Sequence, residues 1–120
     1  MIIEIAGQQW QVHKVESFHP GLMVEGTARR GACWCGRAEI FLSDELIGDQ
    51  VARVVTHELV HAYIYSTQAV QPESWDEEAV CELFAIYALE IAAMCYAVCQ
   101  DLYPNVTVRS YDKVLKEVRS

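Results

Sequence analysis

His57, Glu58 and His61 in the stretch "VVTHELVHAY" are the residues of this chain whose types and spacing most directly suggest chemistry. Two of the chain's four histidines stand four positions apart, with a glutamate directly after the first. On an α-helix, positions i and i+4 share a face, so both imidazoles can reach one divalent ion at about 2.0–2.1 Å. Glu58, about 100° further round such a helix, then stands beside the ion rather than on it. Two zinc ligands with a general base next to them are what a metal-dependent hydrolase needs. The same five-residue pattern also occurs on ordinary histidine-bearing amphipathic helices. Here the flanks are uncharged, with Val55 and Thr56 before the motif, Leu59 and Val60 inside it and Ala62 and Tyr63 after it, which favours the metal.

The motif works only on a helix, and the surrounding residues supply one. Val51, Val54, Val55, Leu59, Ala62 and Tyr63 follow helical spacing, and Ser43-Asp44 and Gly48-Asp49 are helix-start chemistry, so the pattern predicts a helix over residues 50–66. Pro72 in "STQAVQPES" interrupts it. "SWDEEAVCELFAIYALEIAAMCYAVCQDLY" then reads as a second, longer helix, capped by Ser74 or Asp76 and ended by Pro104. Upstream, "IIEIA" and "QWQVHKV", separated by Gly7-Gln8, predict an opening hairpin or strand pair. "HPGLMVEGTARRGACWCG" reads as loop with at most a short irregular strand. "RAEIFLS" alternates and predicts an edge strand bordering the cleft, able to take an extended substrate by strand addition. The tail "NVTVRSYDKVLKEVRS" predicts a short extended piece and a terminal helical turn.

The expected fold class is therefore α+β. A small twisted sheet, made of the N-terminal strands plus the edge strand near 37–43, packs on the histidine helix and on a long glutamate-bearing helix. With 120 residues, the expectation is a single domain over 1–120. Nine Lys and Arg against 17 Asp and Glu give a net charge of −8, which repels phosphate backbones and argues against nucleic acid as a partner. Five cysteines, an odd number, and a start that lacks signal-peptide features point to a reducing cytoplasm. The apolar run from Leu83 to Cys99 carries Glu90 and falls short of the roughly 20 residues of a membrane span, so it reads as a buried helix and no membrane partner is expected.

Two imidazoles leave a third ligand to be found. No histidine follows His61, and "AYIYSTQAVQ" has neither the glycine nor the third histidine of the metzincin pattern. A carboxylate or thiolate on the second helix remains, from Asp76, Glu77, Glu78, Cys81 and Glu82. Glu78 and Glu82 form another i, i+4 pair, in which one acid can bind the ion while the other hydrogen-bonds a ligand histidine. Cys33-Trp34-Cys35 is half of a possible metal site without a second thiol pair at suitable spacing, so these read as loop or edge-strand thiols. Cys95 and Cys99 share a helical face and are expected in the core, and His13 and His19 are expected to be structural.

"VVTHELVHAYI" followed by "DEEAVCELFA" resembles the glutamate-type zinc peptidases, the gluzincins, in the minimal form seen in minigluzincins, small phage-type peptidases and ImmA/IrrE-like domains. The likeness covers about residues 37–90. It implies one zincin-like metallopeptidase domain with Zn2+ on His57, His61 and Glu78, Glu58 as general base and Glu82 as the supporting acid. The implied activity is hydrolysis of peptide bonds in a peptide or protein substrate by a zinc-activated water. An oxyanion donor is to be sought among Tyr65, Tyr87, Tyr103, Tyr111 and Arg109. The alternative is a latent or degenerate zinc-binding protein that acts as an interaction module without turnover.

Overall fold

The opening strands form a tight hairpin. β1 (Ile2–Ile5) and β2 (Gln8–Val15) pair antiparallel with Ile5 opposite Gln8. Between them Ala6 and Gly7 take positive φ, 51° and 81°, a two-residue left-handed turn whose twist matches that of the paired strands. The computed structural model describes residues 1–67, 75–106 and 111–119.

After β2 the chain passes through a 3-10 turn (Pro20–Leu22) and a two-residue ladder of β3 (Met23–Val24) with β4 (Thr27–Ala28). It continues into β5 (Gly31–Trp34), a second 3-10 turn (Cys35–Arg37) and β6 (Glu39–Ser43). The main sheet runs β1-β2-β6-β5, with β6 parallel to β2 and antiparallel to β5. The α+β architecture expected from the sequence is present: a small mixed sheet against helices, one of them long.

The strand near 37–43 is not an edge. It is paired on both sides, so substrate addition to it is ruled out. Its residues explain the position: Ile40, Phe41, Leu42 and Ser43 are all buried, so both faces are covered and no solvent face remains. Ile40 and Leu42 join the helix-side core. Phe41, on the opposite face, stacks between His13 and His19 with ring centroids 4.8 and 5.4 Å away. A Cβ on Gly21 would run into the Phe41 ring, so only glycine lets the Pro20–Leu22 turn lie this close. His13 also meets Glu39 at 2.9 Å and His19 Nδ1 accepts from the Gly21 amide, which makes both histidines structural, as expected. The edge strands of the sheet are β1 and β5, and β5 lies in the segment the sequence presents as loop.

α1 (Asp49–Thr67) buries Val51, Val55, Leu59, Ala62 and Tyr63 against Ile3, Ile5, Trp10, Val12, Ile40 and Leu42 of the sheet. α2 (Glu77–Leu102) begins at Asp76, whose carboxylate accepts from the Ala79 amide at 3.0 Å, with Glu77 and Glu78 in the first turn. Its inner face adds Ile91, Cys95, Val98 and Cys99 to the core, so the two helical cysteines sit where the sequence puts them. Its far end is fastened to the sheet. Tyr103 Oη donates to the Ser43 carbonyl at 2.7 Å, and Lys14 Nζ donates to the Leu102 carbonyl at 2.8 Å, a cation at a helix C-terminus.

α2 is not the buried helix expected of an apolar run. It packs on α1 through one face, with Phe84 half out of the α1–α2 boundary, and Ile86, Leu89 and Tyr96 remain exposed on the other. By length and composition Glu77–Leu102 is apolar enough to cross a membrane. α3 (Tyr111–Arg119) fulfils the expected terminal helix, while the extended piece before it and the alternative cap Ser74 lie outside the described residues.

Candidate functional site

His57 and His61 stand on α1 between the face that packs on the sheet and the face that packs on α2, so both are exposed. Their rings are 5.0 Å apart between centroids and nearly perpendicular, at 71°. Glu58, one position on, turns toward β5 and is 6% exposed. Its Oε1 lies 4.0 Å from Nε2 of His57.

β5 comes close enough to touch this carboxylate because it begins with glycine. A Cβ on Gly31 would meet Val54 Cγ1 at 2.6 Å, Glu58 Cγ at 3.0 Å and Glu58 Oε1 at 3.3 Å. Between α1 and β5 opens a cleft of about 370 Å3. His57, Glu58 and His61 line one side, and Gly31, Ala32, Cys33, Trp34 and Cys35 the other, together with Val24 and Arg29. Sγ of Cys33 and Sγ of Cys35 are 3.5 Å apart. A second cavity, of about 310 Å3, lies between α1 and α2, but Val60, Leu83, Phe84, Ile91 and similar residues make it apolar, so the chemistry belongs to the first.

Burial raises the Glu58 carboxyl above the usual carboxylate range, and the neighbouring His57 partly offsets the shift. Burial, and then His57, lowers the pKa of His61, which keeps that imidazole neutral with a free lone pair at pH 7. Burial pushes the Cys33 thiol well up, reinforced by the hydrogen bond and negative charge of Cys35 and by the charge of Glu58.

The carboxylates of α2 stay outside this cleft. The face that α2 turns to α1 carries Ala79 and Leu83, packed on Val60, Ile64 and Tyr87. Glu78 and Glu82 are each one position earlier, about 100° away around the helix, and both are exposed. Asp76 is engaged as the cap, and Glu77 and Cys81 are exposed. Among the described residues no group of three or more His, Cys, Asp or Glu side chains is arranged to hold a metal ion.

Of the tyrosines considered as oxyanion donors, the described Tyr65, Tyr87 and Tyr103 do not line the cleft. Tyr103 is buried on Ser43, Tyr87 packs against Tyr63, and Tyr65 sits exposed edge-on to Trp10. Arg109 and the Tyr111 side chain lie outside the described residues. Two cleft features escaped the sequence reading. Arg29 gives no local signal in a glycine-rich segment. The Cys33-Trp34-Cys35 spacing was visible, but its place opposite the histidines depends on β5 pairing with β6. No protein family, curated protein or solved structure matches this chain.

Proposed function

We propose that the chain is a zinc-dependent peptidase whose working residues are His57, Glu58 and His61. One observation carries the reading: a buried carboxylate and two outward imidazoles share one helix and open onto a cleft walled by a strand with a free edge. The donors fit a divalent ion. His61 is neutral at pH 7, and a 5.0 Å ring separation is close to that of two imidazoles each about 2.0–2.1 Å from one tetrahedral ion. When bound, zinc supplies Lewis-acid activation of water and of a carbonyl oxygen.

The rest falls to the chain's own groups. Glu58 takes the proton of the attacking water and returns it to the leaving amine, and the rise in its pKa through burial brings it closer to the operating pH. Arg29 places a positive charge on the cleft wall for a developing oxyanion or a peptide carboxylate. The free edge of β5 offers main-chain groups of Gly31–Trp34 to an extended peptide, a contact that tolerates many sequences.

Metal analysis and a peptide-cleavage assay on the purified protein test this reading. The expected result is one zinc per chain, hydrolysis lost to a chelator, and hydrolysis lost in Glu58→Gln with zinc retained. A protein that takes up no zinc sinks it. A second reading, zinc bound without turnover, is favoured by the two thiols on the cleft wall and by the absence of Glu78 from the residues that line it.

A further inference from the structure

The histidine pair lacks partners on α2, and the thiol pair lacks an explanation. Cys33 and Cys35 flank Trp34, whose indole turns to the other side of the sheet and donates to the Gly21 carbonyl at 2.7 Å. Both thiols are half-buried against the core and line the cleft that His57 and His61 line. Their sulfurs are 3.5 Å apart, against about 3.8 Å for two sulfurs each about 2.3 Å from one tetrahedral zinc. Each pair thus already has the spacing of one edge of a tetrahedron, and the two pairs share one cleft. Soft thiolates with imidazoles are the donor set that selects zinc over magnesium or calcium.

We propose that Cys33 and Cys35 complete the metal site with His57 and His61: the four donors stand as two separate pairs in the metal-free arrangement, and a bound ion draws them into a closed four-ligand set. The proposal rests on the peptidase reading for its two histidines and replaces the carboxylate from α2 with two thiolates from β5 and the turn after it. Four protein ligands leave no open position at the metal, which is the arrangement of structural rather than catalytic zinc. Glu58 then stands beside a metal it cannot serve until one thiolate leaves. The cysteines therefore hold the peptidase mostly latent, its turnover confined to the fraction of molecules in which a thiolate has left, and loss of one of them opens the site.

Cobalt(II) titration of the reduced, metal-free protein reads the ligands directly. The expected spectrum is tetrahedral with a thiolate-to-cobalt charge-transfer band, about halved in Cys33→Ser and in Cys35→Ser and unchanged in Glu78→Ala. Zinc affinity should fall by at least tenfold in each single cysteine variant, and zinc-loaded Cys35→Ser should hydrolyse peptide faster than the parent. A measurement on the unaltered chain guards against misfolded variants. Zinc should protect Cys33 and Cys35 from alkylation by iodoacetamide, while the exposed Cys81 stays reactive as an internal control. Cobalt binding without a charge-transfer band, but lost in His57→Ala, overturns the thiol ligation and leaves the peptidase reading standing. A full band that survives Cys35→Ser overturns the closed set. Metal binding indifferent to His57→Ala and His61→Ala overturns the peptidase reading itself.

Discussion

Glu58 is a carboxylate that the fold keeps under cover, 6% exposed, and its pKa is raised by that burial. A raised carboxyl pKa means that the folded state resists ionisation, so above the folded pKa the charge costs stability, and below the unfolded value of about 4.3 the cost is gone. Metal-free Glu58→Gln should therefore melt at a higher temperature than the parent at pH 7. The gap should narrow as pH falls through the folded pKa and close below about pH 4. Thermal melts at several pH values check the sign. An equal gap at every pH would mean that the gain comes from packing. At this scale the sequence was legible wherever chemistry is local. His57, Glu58 and His61 announce their geometry because a helix fixes i and i+4. Glu78 and Glu82 carry the same local relation to each other, but their relation to the histidines depends on how α2 is rotated on α1. Ala79 and Leu83 claim the contact face, and this leaves the acids in water.

Among the elements, β5 decides the shape of the cleft, and Gly31 decides where β5 lies. A methyl group at Gly31 meets Val54 at 2.6 Å and Glu58 at 3.0 Å, so the strand must move away from α1 or the glutamate must turn. Gly31→Ala should cost about 1–3 kcal/mol of stability, typical of overpacking, and should reduce metal-dependent turnover by displacing Glu58. Denaturant melts and the cleavage assay read the two effects separately. Unchanged stability would show that the wall is more compliant than the packing implies. The β1–β2 hairpin and both long helices were legible because turn chemistry and period are written in consecutive residues. The rank of the strands was not. "RAEIFLS" reads as an alternating edge strand, yet four consecutive buried residues mark an interior one. β5 is only four residues long and sits among glycines, so nothing local announces it.

Across the whole molecule, a buried hydrogen bond ties the far end of α2 to the sheet. Tyr103 Oη donates to the Ser43 carbonyl, linking the last turn of the long helix to the end of β6. Tyr103→Phe removes the donor and leaves that carbonyl without its partner, which should cost about 1–3 kcal/mol. Denaturant titration measures the loss, and a neutral result would mean that water replaces the hydroxyl. The outer face of α2 has a different consequence, for how the protein behaves in solution. Ile86, Leu89 and Tyr96 form an oily strip, with Leu89 85% exposed, on a chain whose net charge is −8 at neutral pH. That charge keeps copies apart while it lasts. Near the isoelectric point of about 4.8 it vanishes, and nothing then opposes contact between strips. Solutions should turn cloudy near pH 5 and clear again on raising the pH, as followed by light scattering, and Leu89→Lys should suppress much of the turbidity.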